Sequence, residues 1–559
     1  MKFPKHNIDI FYLILFVSLF VINIYGRIML ASKAISLPFL CIGAVADASL
    51  LTALSMLLRG RWRLLALLFL IATCILIIVN ILYYRNFGDL LPGSGYSLDS
   101  AFDSRILEAA RHSFTYSLLI PIACLFPPAI YIFHSARQIF NQKISKPFAI
   151  TILAVTISFW GLTYIGSYRR MGIYLKENKF ALLSDELFTT HSTNWMFYLE
   201  NHNFTGYWIR CLLSNPGIEL SPENITEIKE TFSAKSTGRS EIALHPRENL
   251  IVIVVESLSS KVIELKNCKA IIPNLHELIN DSTTITLTDC KVLAGPGRSS
   301  DAQFMYNTGL LPLKSEALVS DFASNAYPSL AKVLNKKSIE IIGESKRLWN
   351  HAVTSQSYGF SELIDNIADN TIDQDSVILG YAANRIKSLH SPFYLFTSTL
   401  SMHDPYDSPK VRRSKIDFNC IDNRDQEYFQ RLYHFDKSLG RFIDELKQHG
   451  KFDNSLIIII GDHEIRRGMV PSYLEDNRVP FIIVNGGVSP EKIRNRKISQ
   501  IDIFPTILDL LKIDYKYLDT KYTGLGKSIF SHGGNVANPT KRDYEISEMI
   551  IRGNIGDFL

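Results

Sequence analysis

The sequence predicts two parts: a helical membrane domain, then an α/β domain built on a mostly parallel sheet. Three observations lead there. Five apolar segments fill the first 166 residues, near 10–26, 34–58, 64–83, 114–136 and 147–166. Strand-like and helix-like segments alternate from residue 248 onward. Acidic, histidine and hydroxyl side chains stand just past aliphatic runs, where an open α/β sheet presents its ligand-binding edge.

The apolar segments approach the roughly 20 residues that cross a bilayer and carry almost no internal charge. Five in succession argue for membrane spans over buried core helices, and no small-residue cleavage pattern closes the first one. With the N-terminus in the cytoplasm, the inner segments carry Lys2, Lys5, Arg59, Arg61, Arg63, Arg137, Lys143 and Lys146. The outer ones carry Arg27, Lys33, Arg85, Arg105 and Arg111 more sparsely. This bias orients a multi-pass protein of the cytoplasmic membrane whose remainder lies on the extracytoplasmic, periplasmic-type side.

The expected boundaries are a five-helix membrane domain over 1–166, an interfacial connector over 167–245 and a catalytic domain over 246–559. The connector opens on Tyr168-Arg-Arg-Met171. Its aromatics Trp195, Phe197, Tyr198, Tyr207 and Trp208 suit either the lipid surface or packing against the domain. A net charge of +5 over 559 residues, with no dense basic cluster, gives no support for nucleic-acid binding. Cys41, Cys74 and Cys124 fall in spans. Cys211, Cys268, Cys290 and Cys420 fall outside them, and a Cys268–Cys290 bridge or free thiols both fit an oxidising compartment.

In the second part the expected strands are 249–255, 284–289, 339–342, 393–399, 456–460 and 480–484. The expected helices lie near 273–280, 300–308, 328–335, 424–448 and 502–511. Leu250–Val255 and Leu456–Ile460 are continuous aliphatic runs, as strands buried on both faces require. Helix 424–448 places Tyr428, Leu432, Phe435, Leu439, Phe442 and Leu446 on one stripe.

Glu256 follows the first run; Asp462 and His463 follow the second. A carboxylate at such a place must be paired, hydrated or metal-bound, or serve a helix N-cap. Asp oxygen with His nitrogen suits Zn²⁺ or Mn²⁺ better than Ca²⁺. Ser299 and Ser300 sit after Gly295-Pro-Gly-Arg298 and open a helix. A hydroxyl there feels the positive end of the helix dipole, and a metal would favour its alkoxide; Ser300 alone reads equally well as an N-cap. His403, past strand 393–399, suits binding a phosphate oxygen or protonating a leaving group. Trp349, Asn350 and His351 form a candidate substrate wall.

In order, Glu256, Gly-Arg-Ser-Ser-Asp-Ala-Gln-Phe, Leu-Trp-Asn, Met-His-Asp-Pro-Tyr, Gly-Asp-His, Val-Pro-Phe-Ile-Ile-Val and Gln-Ile-Asp-Ile-Phe-Pro-Thr-Ile resemble the lipoteichoic acid synthase branch of the alkaline phosphatase/sulfatase superfamily, over roughly 245–515. The resemblance implies a sulfatase-like α/β fold behind five spans. It implies one divalent cation, manganese ahead of zinc or magnesium, held by Glu256, Ser299, Asp462 and His463. It implies Ser299 as nucleophile, at a position the family fills with threonine, and a substrate site including His403, Trp349, His351 and Arg298. Where the family has an arginine after Trp-Asn, this chain has His351. The implied activity is a phosphoglycerol-type transfer from a membrane phospholipid to a glycan or glycolipid acceptor. Its alternatives are a phosphoethanolamine transferase, a phosphoric or sulfuric ester hydrolase, or a catalytically silent membrane sensor or scaffold. Sulfatases carry Cys-x-Pro-x-Arg, whose cysteine becomes formylglycine; Ala294-Gly-Pro-Gly-Arg298 has alanine there, which argues against sulfate ester hydrolysis.

Overall fold

The computed structural model describes residues 7–30, 37–87, 114–141, 144, 146–177, 218–236, 245–265, 269–314, 317–346, 348–368, 373–404, 406, 411–412, 426–465, 470, 473–488, 493, 496–514, 516–517, 520–531 and 538–555. The chain divides into two units, Met1–Pro216 and Gly217–Leu559.

The first unit is helical: Asn7–Leu30, Leu37–Met56, Leu65–Phe87, Leu119–Ala123, Phe126–Asn141 and Lys146–Glu177. Phe11, Leu15, Leu19 and Ile22 of the first helix pack in one apolar core with Leu70, Cys74 and Ile77 of the third. Three stretches are long and apolar enough to cross a membrane: Ile10–Leu30, Gly60–Leu82 and Tyr116–Asn141. The other two expected spans fall on helices Leu37–Met56 and Lys146–Glu177, whose apolar stretches Leu40–Met56 and Pro147–Leu162 are shorter. Among the described residues, three of the five expected spans are thus matched by stretches of full length. Inside the bundle, Arg27 Nη2 donates to Asp47 Oδ2 at 3.0 Å, and both side chains are buried. Gly43 leaves the space the guanidinium occupies, since a Cβ there would fall 2.5 Å from Arg27 Nη1.

The second unit is an eight-stranded sheet with helices on both faces. Its strands are β1 Asn249–Val255, β2 Ile285–Lys291, β3 Lys337–Ile341, β4 Glu362–Ile364, β5 Phe393–Ser398, β6 Ser455–Gly461, β7 Arg478–Val484 and β8 Ile498–Ser499. They run in the order β4-β3-β5-β1-β6-β7-β2-β8. The pairs β3–β4, β3–β5, β1–β5, β1–β6 and β2–β8 are parallel, whereas β7 is antiparallel to both β6 and β2. Two faces explain the unbroken aliphatic runs. Leu250, Val252 and Val254 pack with Phe304, Met305, Ile503, Phe504 and Ile507 on one side. Ile251, Ile253 and Val255 pack with Leu379, Leu432, Phe435, Leu439 and Phe442 on the other. A sheet with side chains buried on both faces has no place for alternating polar residues.

Helix Gln426–Gln448 buries the stripe expected from its periodicity. Helix Pro222–Ser236, within the expected connector, buries Ile228 and Phe232 in the sheet domain's own core. The connector aromatics named above, and Cys211, Cys268 and Cys420, lie outside the described residues. Cys290 is a free, buried thiol on β2.

A carboxylate, histidine and serine cluster at the sheet edge

The register of the central strands builds the site. β1 and β6 pair so that Val255 stands beside Gly461. Glu256 and Asp462 are therefore the first residues beyond two adjacent parallel strands, at the same edge. The chain turns sharply at Ser257 (φ 50°), whose N–H donates to Asp462 Oδ1 at 2.8 Å and whose hydroxyl donates to Glu256 Oε1 at 2.8 Å. The Glu256 N–H donates to Thr399 Oγ1 at 3.0 Å, tying the β1 loop to the one after β5. The His463 N–H donates to Asp462 Oδ1 at 2.7 Å.

Ser299 arrives from the β2 side, as the first residue of helix Ser299–Thr308. Its hydroxyl lies 3.1 Å from His463 Nε2 and 3.4 Å from Glu256 Oε2. His463 Nε2 is in turn 3.3 Å from Asp462 Oδ2 and 3.5 Å from Glu256 Oε1. Ser300 faces away, its hydroxyl donating to Gly297 O at 2.7 Å. The loop before the helix is clamped by Asp301, whose Oδ2 accepts the Gly295 and Gly297 N–H groups at 3.0 and 2.9 Å. Arg298 (φ 44°) donates from Nη2 to Glu464 O at 3.1 Å and lies 3.0 Å from His463 Nδ1.

His463 Nδ1 meets both an acceptor, Glu464 O at 3.0 Å, and a donor, Arg298 Nη2 at 3.0 Å, so these two contacts fix the ring's orientation and fit either tautomer. Nε2 faces Ser299, Glu256 and Asp462.

Glu256, Asp462 and His463 are all buried, and one ligand atom from each lies within 4.8 Å of the others. Burial, reinforced by the neighbouring Asp462, pushes the Glu256 carboxyl well above the ordinary carboxylate range. Burial also holds His463 below its ordinary value. Two buried carboxylates and an imidazole whose Nε2 faces them form a donor set for a divalent cation. The residues therefore fit the ion that the superfamily implies.

The remaining candidates sit around this cluster. His403 is 56% exposed, on the turn after β5. Its neighbour Asp404 is close enough for its charge to bear on Glu256. Trp349 and Asn350 both adopt left-handed backbone (φ 50° and 54°), and Asn350 Nδ2 donates to Val319 O at 2.7 Å. His351 is buried, with Nε2 3.2 Å from Glu344 Oε1 and Nδ1 3.9 Å from Glu340 Oε1. Burial lowers its pKa, but the bond to Glu344 and the charges of Glu344 and Glu340 outweigh that and hold it above the ordinary value. The ion pairs of His351 are with Glu344 and Glu340.

Several supporting residues escape a reading of the sequence. Gln500, fully buried, accepts the Leu293 and Ala294 N–H groups at 2.7 and 3.1 Å and donates to Asp462 O and Tyr306 Oη, both at 2.6 Å. It binds the loop before Ser299 to the β6 loop. The only signal in the sequence is its place at the head of Gln-Ile-Asp-Ile-Phe-Pro-Thr-Ile. Thr399, Ser257 and Asp301 carry no signal beyond adjacency to the named motifs.

The architecture and the cluster define an α/β domain of sulfatase type, and the sulfatase family's sequence model matches residues 248–513. Lipoteichoic acid synthase 2 of Bacillus subtilis is 28% identical over 355 residues, which are 57% of this chain and 54% of that protein. Lipoteichoic acid synthase of Staphylococcus aureus is 26% identical over 496 residues, 83% of this chain and 74% of that protein. Among solved structures, the integral membrane lipooligosaccharide phosphoethanolamine transferase A of Neisseria meningitidis aligns over 90% of this chain and 95% of its own, with TM-score 0.51 and 13% identity, a likeness of fold. The sulfatase family match and the lipoteichoic acid synthase relatives support a lipoteichoic acid synthase-type member of the alkaline phosphatase superfamily.

Proposed function

We propose that the protein is a membrane-anchored, metal-dependent transferase that moves a phosphoglycerol-type head group from a phospholipid to an extracytoplasmic glycan or glycolipid. The observation that carries this reading is Ser299 Oγ within 3.1 Å of His463 Nε2 and 3.4 Å of Glu256 Oε2, at the start of a helix. The lipoteichoic acid synthase relatives support the donor and acceptor classes. The apolar helices support the anchor, and the lysine and arginine bias supports a catalytic domain outside the cytoplasm.

Glu256, Ser299, Asp462 and His463 would hold the cation, manganese in this reading. When bound, it supplies positive charge that favours the serine alkoxide and the phosphate oxygens. Ser299 Oγ attacks the phosphodiester phosphorus. An Oγ–P bond forms, the P–O bond to diacylglycerol breaks, and the serine proton ends on the diacylglycerol hydroxyl. The acceptor hydroxyl then attacks the same phosphorus; its proton returns to Ser299 and the head group leaves with the acceptor. Arg298 and Asp301 fix the loop that aims the hydroxyl, and His403 faces the substrate phosphate at the rim. Holding the site beside a bilayer raises the effective concentration of the lipid donor.

Incubation with labelled phosphatidylglycerol and phosphatidylethanolamine tests this. Diacylglycerol should be released from the former, with a phosphodiester adduct on Ser299 by mass spectrometry. Ser299→Ala should abolish both, whereas Ser300→Ala, which loses the bond to Gly297 O, should cost only about 1 kcal/mol of stability. An adduct on Ser300, or turnover by Ser299→Ala, overturns the assignment. Release from phosphatidylethanolamine alone would reassign the head group.

A further inference from the structure

The turn that carries His403 is gripped by two fully buried charges of opposite sign, from two different helices. Asp375, at the start of helix Gln374–Lys387, accepts the Leu400 and Ser401 N–H groups on Oδ1 at 2.8 and 2.9 Å. Its own N–H donates to Ser401 Oγ at 3.0 Å. Arg431, on helix Gln426–Gln448, donates from Nη1 to the His403 carbonyl at 2.6 Å. The arginine is 3.6 Å from Glu427 and lies over the Tyr406 ring at 4.9 Å. Tyr406 closes the turn by donating to Met402 O at 2.8 Å. Asp375 and Arg431 are 1% and 0% exposed, while the His403 side chain between them is 56% exposed.

Burying a carboxylate or a guanidinium is costly, and a well-packed apolar residue often does as well for stability. Here each charge is used on the backbone of one turn. The same turn reaches the cluster, since Thr399 accepts the Glu256 N–H at 3.0 Å and donates its own N–H to Val254 O at 2.9 Å. An exposed side chain on a turn fixed at both ends has a defined origin even though its ring is in solvent.

We infer that Asp375 and Arg431 are positioning residues for the transfer, acting through the backbone of residues 400–403 to set where His403 meets the substrate phosphate. The kinetic part rests on the transferase reading above; the geometric part does not. Three effects are expected in the full-length protein. Arg431→Met and Asp375→Ala should raise amide hydrogen exchange in 399–404 while exchange in β1 and β6 stays unchanged. They should lower kcat/KM for phosphatidylglycerol by about 10- to 100-fold, the range for a misplaced reacting group. Asp375→Asn, which keeps an oxygen acceptor, should restore most of the loss.

In a His403→Ala background, Arg431→Met should cost nothing further, because the group it places is gone. Unchanged exchange in 399–404, or an equal loss with and without His403, overturns the proposal. A wild-type protein that releases no diacylglycerol overturns the transferase reading instead, and the exchange result alone then decides the positioning claim.

Discussion

Gly297→Ala tests whether the loop that carries Ser299 is as tightly built as its contacts imply. A Cβ at Gly297 would fall 2.3 Å from Asp301 Oδ1, 2.7 Å from Asp301 Cγ and 2.7 Å from Ser300 Oγ. Gly297 is not among the glycines with left-handed backbone, so space and not conformation is at issue. Asp301 is fully buried and accepts the Gly295 and Gly297 N–H groups, so it cannot swing away as a surface side chain would. Displacing it loses two hydrogen bonds to a charged group, at about 1.5–3 kcal/mol each, or about 3–6 kcal/mol in all. The loop carrying Ser299 would also shift, which can cost about 100-fold in turnover. Thermal unfolding with diacylglycerol release measures both. Gly380→Ala, on an exposed helix position with nothing within 4 Å of its Cβ, is the control and should gain about 0.5–1 kcal/mol. Wild-type stability and turnover in Gly297→Ala would refute the claim that this loop is clamped through Asp301.

Two further outcomes follow from the same geometry. Asp462→Asn or Glu256→Gln should abolish bound metal while the domain stays folded; in the wild type, Mn²⁺ at about one hundred times its Kd should add about 2.7 kcal/mol of stability that neither variant gains, as thermal shift would show. Burial pushes the Asp502 carboxyl up to about 7, against the opposing bonds from Lys527 and Ser499. Because its folded pKa is raised, the proton is kept in the folded chain and lost from the unfolded one between about pH 4 and 7, so this contribution is full below about pH 4 and gone above about pH 7. The stability gap between wild type and Asp502→Asn should therefore shrink by up to about 4 kcal/mol across that window, and a pH-independent gap in denaturant titrations would contradict it.

The strands buried on both faces were the most legible part of the fold. β1 at Asn249–Val255 and β6 at Ser455–Gly461 read directly as aliphatic runs, because both flanks are covered by helices. Helix Gln374–Lys387 was not read, although Ile378, Leu379, Ala382, Ala383 and Ile386 form a buried stripe; its small alanines and the Gly380 break weaken the periodic signal. β4, at Glu362–Ile364, is a three-residue edge strand, too short to show a period. At the site, Glu256, Asp462 and His463 were legible because polar residues directly after such runs are out of place. Gln500 and Arg431 were not, since what each holds is a backbone group far away in the chain.

That contrast bears on what the cluster is for. Local propensity, burial and packing agree through both faces of the sheet and then disagree within a few residues at its carboxyl edge. Ser257 and Arg298 take positive-φ backbone without being glycine, two carboxylates lie buried side by side, and an imidazole turns its Nε2 toward them. Each feature alone destabilises a fold. Gln500, Asp301 and Thr399 fix the elements that carry them, so the conflict is held in place and not relaxed. A stable scaffold has no use for such a conflict, whereas a site for a cation gains from it: the clustered carboxylate charge that costs the fold stability is the charge that would bind a cation, and the cation would in turn draw a phosphate.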